Sequence, residues 1–466
     1  MKRVLLSLSL LLISLLAISA GLHYKGSLGA YLLFSLITNA LLLNGFKKRS
    51  IYFDTFIGVF IWLGFWLKFS VRLAFFSGEF HEAIGAFDGA PESFDNALNI
   101  SSCGITAFWL ASVVRQRFFN YPDAPLGCGG SGLFRFYKDH RKLLVGLFVV
   151  LVALVAISNA WFGVYQRGMV TQTVLPFGMN GVYKWLLQFG FASVSALIIR
   201  FEIELNQEIS WGAVLPPLFE AFSSNVSLLS RGMVLNSVGL VVGAIRTMFG
   251  AGIKFSPLRV LAAALMFAAL FAFSVFSVNY LRATSLLGGG AISSSQVIGS
   301  ASGMATPLFL DRWVGIEGVM AVSSSKHLGW ELWREALGER FQEGQLSFYD
   351  RVFIESPYLN HGLSDGSKHH FVSLPGVVAF FYYPGSLFFL FLALFLLGLA
   401  AAIIERLTYL FAGLNWVLCS LFAQVVAFRY VSFGYVPGQS YLLFGALALN
   451  VLLIYAVDRV LAKHYS

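Results

Sequence analysis

Long apolar stretches separated by short polar connections run along almost the whole 466-residue chain. Twelve windows reach or approach the roughly 20 apolar residues that a helix needs to cross a bilayer, whereas barrel strands would alternate over about ten residues. The pattern therefore predicts an all-α integral membrane protein with about 12 transmembrane helices. The windows lie near residues 4–21, 28–46, 51–67, 96–114, 143–163, 181–199, 209–229, 233–250, 257–280, 380–403, 410–428 and 441–457.

The composition favours the same class. Hydrophobic residues make up 58% of the chain and charged residues 12%, with a mean hydropathy of +0.75, whereas soluble domains carry about 25% charged residues. The three cysteines are scattered, which indicates neither a disulfide framework nor a metal cluster. The first window follows Lys2 and Arg3 and fits either an uncleaved span, which we favour, or a cleavable signal peptide. The rest of the topology is the same for both.

Lysine and arginine are concentrated in every second connection, with the densest group between residues 115 and 142. Such connections face the cytoplasm in most membrane proteins. We therefore expect both termini in the cytoplasm and read the net charge of +9 as a sign of membrane orientation rather than of nucleic-acid binding. The chain forms a single polytopic domain, 1–466.

One connection, at about residues 281–371 between the ninth and tenth windows, is long and polar and is predicted to face outward. It holds four of the eight histidines. Its segment from Ser325 to Glu343 predicts an amphipathic helix near the membrane surface, with its glutamates on a solvated face. Further on, Arg351 and His361 lie among turn-forming residues. Histidine can act as a base near neutral pH, so these two are candidate catalytic residues, although a loop histidine is often structural.

Four arginines are predicted at or near the outer ends of the windows: Arg167, Arg231, Arg282 and Arg429. A guanidinium group stays charged and binds phosphate through two parallel hydrogen bonds. Several at one depth could therefore hold a lipid-linked pyrophosphate. The alternative for each is an arginine that extends to the lipid headgroups.

The densest polar insertion within the windows runs from Leu215 to Gly243. Pro216 and Pro217 predict a helix break there, and Glu220 follows one turn later. A charge within the membrane is costly and indicates function by default, so Glu220 is a candidate catalytic residue; an interhelical structural ion pair is the alternative. No zinc-type spacing, phosphate-binding glycine loop or Ser-His-Asp pattern is apparent, so we expect neither a metal nor a nucleotide cofactor.

Three segments carry a resemblance: SSNVSLLSRGMVLNS around Arg231, DRWVGIEGVMAVSS from Asp311 and FRYVSFGYVPG near Arg429. Together with the number of spans and the large outer connection, they resemble bacterial O-antigen polymerases of the Wzy type over nearly the full length. The resemblance implies a GT-C-like fold in the bacterial inner membrane. It also implies a metal-independent glycosyltransferase that moves a growing glycan from undecaprenyl pyrophosphate onto the next lipid-linked repeat unit at the periplasmic face.

The resemblance also implies roles and partners. Arg167, Arg231, Arg282 and Arg429 would hold the pyrophosphate leaving group, while a loop base would deprotonate the acceptor hydroxyl. The implied partners are the undecaprenyl-pyrophosphate-linked oligosaccharide, membrane lipids and a chain-length regulator, with no nucleic acid and no cofactor.

Two other functions remain open. An O-antigen ligase would share the fold type, the donor and a large outer loop, and would differ in using lipid A core as the acceptor. A flippase for lipid-linked oligosaccharides also has about twelve spans and a cationic cavity. It normally lacks a ninety-residue outer loop, which favours an enzyme over a transporter.

Overall fold

The computed structural model describes residues 2–125, 127–230, 232, 234–253, 256–286, 310–354 and 372–465. These residues form helices, turns and irregular connections and contain no β-strand. The α-helices are, in chain order, α1 (Lys2–His23), α2 (Leu28–Gly45), α3 (Tyr52–Ile61), α4 (Lys68–Phe75), α5 (Pro91–Arg115), α6 (Gly132–Phe162), α7 (Met179–Trp185), α8 (Phe191–Asn206), α9 (Trp211–Ser227), α10 (Val234–Gly250), α11 (Pro257–Leu286), α12 (Ile316–Ser323), α13 (Trp330–Leu337), α14 (Val377–Phe381), α15 (Leu387–Phe411), α16 (Trp416–Val431) and α17 (Ser440–His464).

Two pairs of helices are continuous through short π-helical turns. Trp62–Leu67 joins α3 to α4, and Leu186–Gly190 joins α7 to α8. Within the described residues, eight helical stretches are long and apolar enough to cross a membrane, and three shorter helices are also apolar. The prediction of an all-α membrane protein is confirmed. Each of the twelve predicted windows falls on a helix of this set or on α9. That all twelve cross the membrane stays a prediction.

Helix α16 lies at the centre of the helical bundle, where α3, α8, α10 and α15 pack around it. Most of its side chains are buried. Two glycines of α10 allow the two helices to touch, since a β-carbon on Gly243 would lie 2.7 Å from Cα of Val417, and Ser420 Oγ donates to the carbonyl of Gly239 at 2.7 Å. Close packing of this kind fixes the position of the last turn of α16, which carries Arg429.

The start predicted for the eleventh span, near residue 410, is wrong. Helix α15 continues to Phe411, and α16 begins only at Trp416. Between them Gly413 and Leu414 adopt left-handed backbone angles, with φ of 68° and 58°, and Asn415 Oδ1 accepts hydrogen bonds from the first N–H groups of α16. A hydropathy window does not detect this turn because Asn415 is its only polar residue.

The predicted helix break at Pro216 and Pro217 is also wrong, because α9 runs through both prolines. Each proline removes one backbone hydrogen bond, to Gly212 and Ala213 in the first turn of the helix. Both prolines are buried, and α9 packs against α6, α8 and α11. This packing holds the helix together across the two missing bonds.

The predicted amphipathic helix over residues 325–343 is much shorter in the structure. Only Trp330–Leu337 is helical, as α13, and Gly338 follows directly after its end. Trp330 and Trp333 pack edge-on against Phe389 at the start of α15. Helix α13 therefore covers the end of a membrane helix, as its aromatic face predicts. The helical conformation ends at Leu337, however, and residues 338–343 are not helical.

A buried ion-pair network anchors the described start of the large connection to α4. Arg72 donates to both carboxylate oxygens of Asp311 at 3.2 and 2.5 Å. Lys68, which is fully buried, contacts the carboxylate of Glu317 at 2.8 Å and donates to the carbonyl of Asp311 at 2.9 Å. Because these groups are paired with one another, the segment that follows Asp311 has a fixed position.

Candidate functional site

The connection after α6 is tied to the end of α9. Asn159, on the last turns of α6, donates from its amide to the carbonyls of Tyr165 and Ser227 at 3.0 and 3.1 Å and to Ser227 Oγ at 2.9 Å. The backbone N–H of Arg167 then donates to the carbonyl of Leu228 at 2.9 Å. These bonds hold Arg167 beside the turn between α9 and α10.

Arg312 reaches the same turn from the large connection. A β-carbon built on Gly232 would lie 3.2 Å from Nη1 of Arg167 and 3.8 Å from Nη2 of Arg312, with Ser230 Oγ at 3.4 Å. Both guanidinium groups thus lie within 4 Å of one point. Arg167 and Arg312 also interact with other parts of the protein.

Arg429 lies in the last turn of α16 and is partly buried. Its Nη2 donates to the carbonyl of Tyr435 at 3.5 Å and to Ser440 Oγ at 3.3 Å, and its guanidinium lies over the ring of Phe433. Its Nε is buried and has no hydrogen-bond acceptor among the described residues. The positive charge of Arg167 is close enough to repel the guanidinium group of Arg429. We call Arg167, Arg312 and Arg429 the arginine cluster.

Guanidinium groups that lie close together repel one another and favour a bound anion. An orphaned N–H of a charged group is costly to bury, and a phosphate oxygen would satisfy it through a strong hydrogen bond. The cluster is assembled from two connections and the last turn of α16, which all lie at the same end of the bundle. Its chemistry fits a phosphate or pyrophosphate group.

A polar cavity of about 240 Å³ lies next to the arginine cluster. Most of its lining comes from the large connection, and Tyr435 provides the wall towards Arg429. We call it the polar cavity, and its lining residues are Glu335, Gly338, Glu339, Arg340, Gln342, Gln345, Leu346, Phe348, Arg351 and Tyr435.

Glu339 connects the large connection to the turn after α16. Its carboxylate accepts from the backbone N–H groups of Phe348 at 2.5 Å and of Val436 at 3.0 Å. Burial raises the pKa of this carboxyl, while the two N–H donors and the nearby Arg351 act in the opposite direction. Burial also raises the pKa of Tyr435, with the carboxylate of Glu339 adding to the effect. The expected solvated position of Glu339 is therefore wrong.

A second contact joins the large connection to the connection that carries Arg167. Glu343 accepts from the backbone N–H of Thr171 at 3.0 Å and from its hydroxyl at 2.7 Å. The ring of Phe341 packs edge-on against Tyr435. Residues 339–343 therefore lie over both the turn after α16 and the connection after α6.

The structure brings some of the predicted site residues together. Arg167 and Arg429 belong to the arginine cluster, and Arg351 is exposed in the polar cavity. Arg231 and His361 lie outside the described residues, and of Arg282 only the backbone, in α11, is described.

Glu220 lies apart from these residues. It is buried in α9, and Ser224 Oγ donates to it at 2.9 Å. It precedes Leu228 by eight residues, which is about 12 Å along the helix at 1.5 Å per residue. Among the described residues no cation lies within ion-pair distance of it.

Two residues that contribute to the site were not among the predicted ones, Arg312 and Glu339. Arg312 directly follows Asp311 in a segment that the sequence already marks as distinctive. Glu339 follows Gly338, and a glycine near the end of a helical pattern is a recognised signal that the chain turns. Nothing in the sequence indicates that Arg312 lies beside the turn after α9 and that Glu339 binds the turn after α16.

Within the described part of the chain, no three His, Cys, Asp or Glu side chains are grouped so that they could hold a metal ion. Compared with protein-family models, with curated proteins and with solved structures, the chain matches none of them. The fold defines an all-α membrane protein, and the arginine cluster lies at one end of its helices.

Proposed function

We propose that the protein is a glycosyltransferase that polymerises undecaprenyl-pyrophosphate-linked oligosaccharide repeat units into O-antigen or capsular polysaccharide. The chain would cross the bacterial inner membrane about twelve times and act at the periplasmic face. The observation that carries the proposal is the arginine cluster, with the buried and orphaned Nε of Arg429. It supplies the charge and the donors that a membrane-anchored pyrophosphate requires.

The proposed chemistry uses these cations on the leaving group. When the glycosidic bond to the pyrophosphate breaks, negative charge develops on the departing phosphate oxygen, and fixed donors stabilise it more than they stabilise the ground state. Arg231 and Arg282 remain candidates for the same role. The sequence predicts both at or near the outer ends of spans.

The proposal is tested first with a deletion strain. Loss of the polymerase should leave lipid A core that carries one repeat unit, visible by gel electrophoresis of the surface polysaccharide. Unattached polymer on the lipid carrier would instead indicate a ligase. Core without any repeat unit would indicate a flippase, and normal long chains would exclude all three roles.

Complementation then tests the arginine cluster. Arg429→Gln and Arg312→Gln should each fail to restore long chains although the protein stays in the membrane, because both remove charge and a two-pronged donor from the leaving-group site. Arg334→Gln is the matched control, since Arg334 is exposed on α13 and does not line the polar cavity. Normal chain length in both cluster variants would contradict the proposed pyrophosphate site.

A further inference from the structure

The lining of the polar cavity has the chemistry of a carbohydrate site. Gln342 and Gln345 each offer an amide that both donates and accepts hydrogen bonds, as sugar hydroxyls do. Arg340 and Arg351 add donors, while Phe348 and Tyr435 add ring surface. A few polar groups converging beside aromatic side chains is the usual composition of a small-molecule site. At about 240 Å³ the cavity has room for about one sugar ring.

The cavity lies where an acceptor would have to be. Tyr435 forms part of its lining, and the carbonyl of the same residue accepts a hydrogen bond from Arg429. A pyrophosphate at the arginine cluster and a sugar in the polar cavity would therefore be neighbours separated by one residue. Reacting groups have to approach to about 3 Å, which adjacent subsites allow.

Glu339 is held in a fixed orientation within this cavity. Each of its carboxylate oxygens accepts one backbone N–H, from Phe348 and from Val436, and a carboxylate has about four acceptor positions in total. The remaining positions stay available to a hydroxyl in the cavity. Two backbone donors restrict the rotation of the side chain, which is the kind of preorganisation that a positioned base needs.

We infer that the polar cavity binds a sugar ring of the acceptor and that Glu339 takes the proton from its attacking hydroxyl. The inference rests on the proposed function. The hydroxyl O–H bond breaks and its proton goes to the carboxylate. A bond then forms between that oxygen and the anomeric carbon of the donor, and the bond from this carbon to the pyrophosphate breaks, with the electron pair leaving on the phosphate oxygen.

Several charged or titratable groups surround Glu339. They are Arg351, Asp350, Glu335, Arg340, Tyr383 and Tyr435. Burial has the largest effect and raises the pKa of Glu339, and Asp350 adds to it, while Arg351 opposes it. Because the base is the carboxylate form, turnover should fall as the pH drops through this pKa. Because the pKa of Glu339 is raised, this loss of turnover occurs closer to neutral pH.

The test uses the full-length protein in lipid nanodiscs. The substrate is the pyrophosphate-linked oligosaccharide pool extracted from the deletion strain. Glu339→Gln should lower the maximal elongation rate by about a hundredfold, which is within the usual contribution of a general base. The same substitution should also remove the loss of turnover at low pH from the pH profile. Glu331→Gln is the control, because Glu331 is exposed on α13 and does not line the cavity.

A second variant separates binding from chemistry. Gln342→Ala should raise the half-saturating substrate concentration about fivefold, as the loss of one hydrogen bond would, with the maximal rate and the pH profile unchanged. If the Glu339→Gln protein is slow but still loses activity at low pH as the wild type does, the assignment of Glu339 as the base is overturned. Glu339 would then act only as a structural link.

The outcomes also separate the two proposals. If the wild-type protein does not elongate the pool, the proposed function fails. If the wild type elongates the pool and both Glu339→Gln and Gln342→Ala behave like the wild type, only the proposed acceptor site is contradicted. Thermal unfolding of each variant in the same nanodiscs identifies a loss of rate caused by unfolding.

Discussion

At the scale of single residues, the described structure pairs most of its buried charges with one another. Lys68 with Glu317, Arg72 with Asp311, and Arg115 with Asp54 are buried ion pairs. Arg429 differs from these cations, because the hydrogen-bond acceptors that it has among the described residues are all neutral. A cation that the fold does not neutralise is available to an anionic ligand.

The Lys68 pair gives a stability prediction. Lys68→Met should lower the free energy of unfolding by about 3–5 kcal/mol, because it leaves the carboxylate of Glu317 buried without its cation. The double variant Lys68→Met/Glu317→Met should recover most of this loss. The measurement is denaturant unfolding in mixed micelles. Equal losses in the single and the double variant would mean that the pair is not what stabilises this region.

At the scale of elements, the large connection is part of the membrane bundle rather than an appendage. The segment that carries Arg312 passes so close to the π-helical turn after α3 that there is no room for side chains. A β-carbon on Gly315 would lie 2.1 Å from the carbonyl oxygen of Gly64. The arginine cluster therefore depends on a backbone contact that only glycine allows.

This contact predicts the effect of one methyl group. Gly315→Ala should greatly reduce the folded yield, since the backbone would have to move apart and the buried ion pairs next to it would be strained. Gly181→Ala is the matched control, because a β-carbon there meets nothing within 4 Å. Monodispersity in size-exclusion chromatography measures both, and an equal yield would contradict the close contact.

The elements differ in how far the sequence predicts them. The helices follow from apolar windows of membrane length, whereas the turn at Gly413 and Leu414 does not, because it is too short and too apolar to lower the hydropathy of a window of that length. Arg167 and Arg429 could be proposed for one site from their depth alone. Arg312 and Glu339 could not, because their positions depend on how distant segments pack: on the contact at Gly315 and on the hydrogen bond to Val436.

At the scale of the whole molecule, the arginine cluster, the polar cavity and the described large connection all lie at one end of the bundle. The opposite end carries the exposed pair of Lys48 with Asp123 and the buried pair of Arg115 with Asp54. The distribution of cations between short connections predicts that the second end faces the cytoplasm.

Cysteine labelling in whole cells tests this orientation. Lys326→Cys, at an exposed position of the large connection, should react with a membrane-impermeant maleimide added outside. Lys48→Cys, which is also exposed, should react only after the membrane is opened. The parent protein gives the background from its three native cysteines. The reverse pattern would mean that the arginine cluster faces the cytoplasm.

The size of the polar cavity has a consequence for the product. On the proposed function the acceptor in this cavity is the next lipid-linked repeat unit. A site that holds about one sugar ring contacts only the end of that unit, which is the same at every addition however long the donor glycan has become. Such a site has no means of counting. The length distribution of the polysaccharide would then be set by how long the growing chain stays on the protein, so a second protein could tune it by changing the dissociation rate alone.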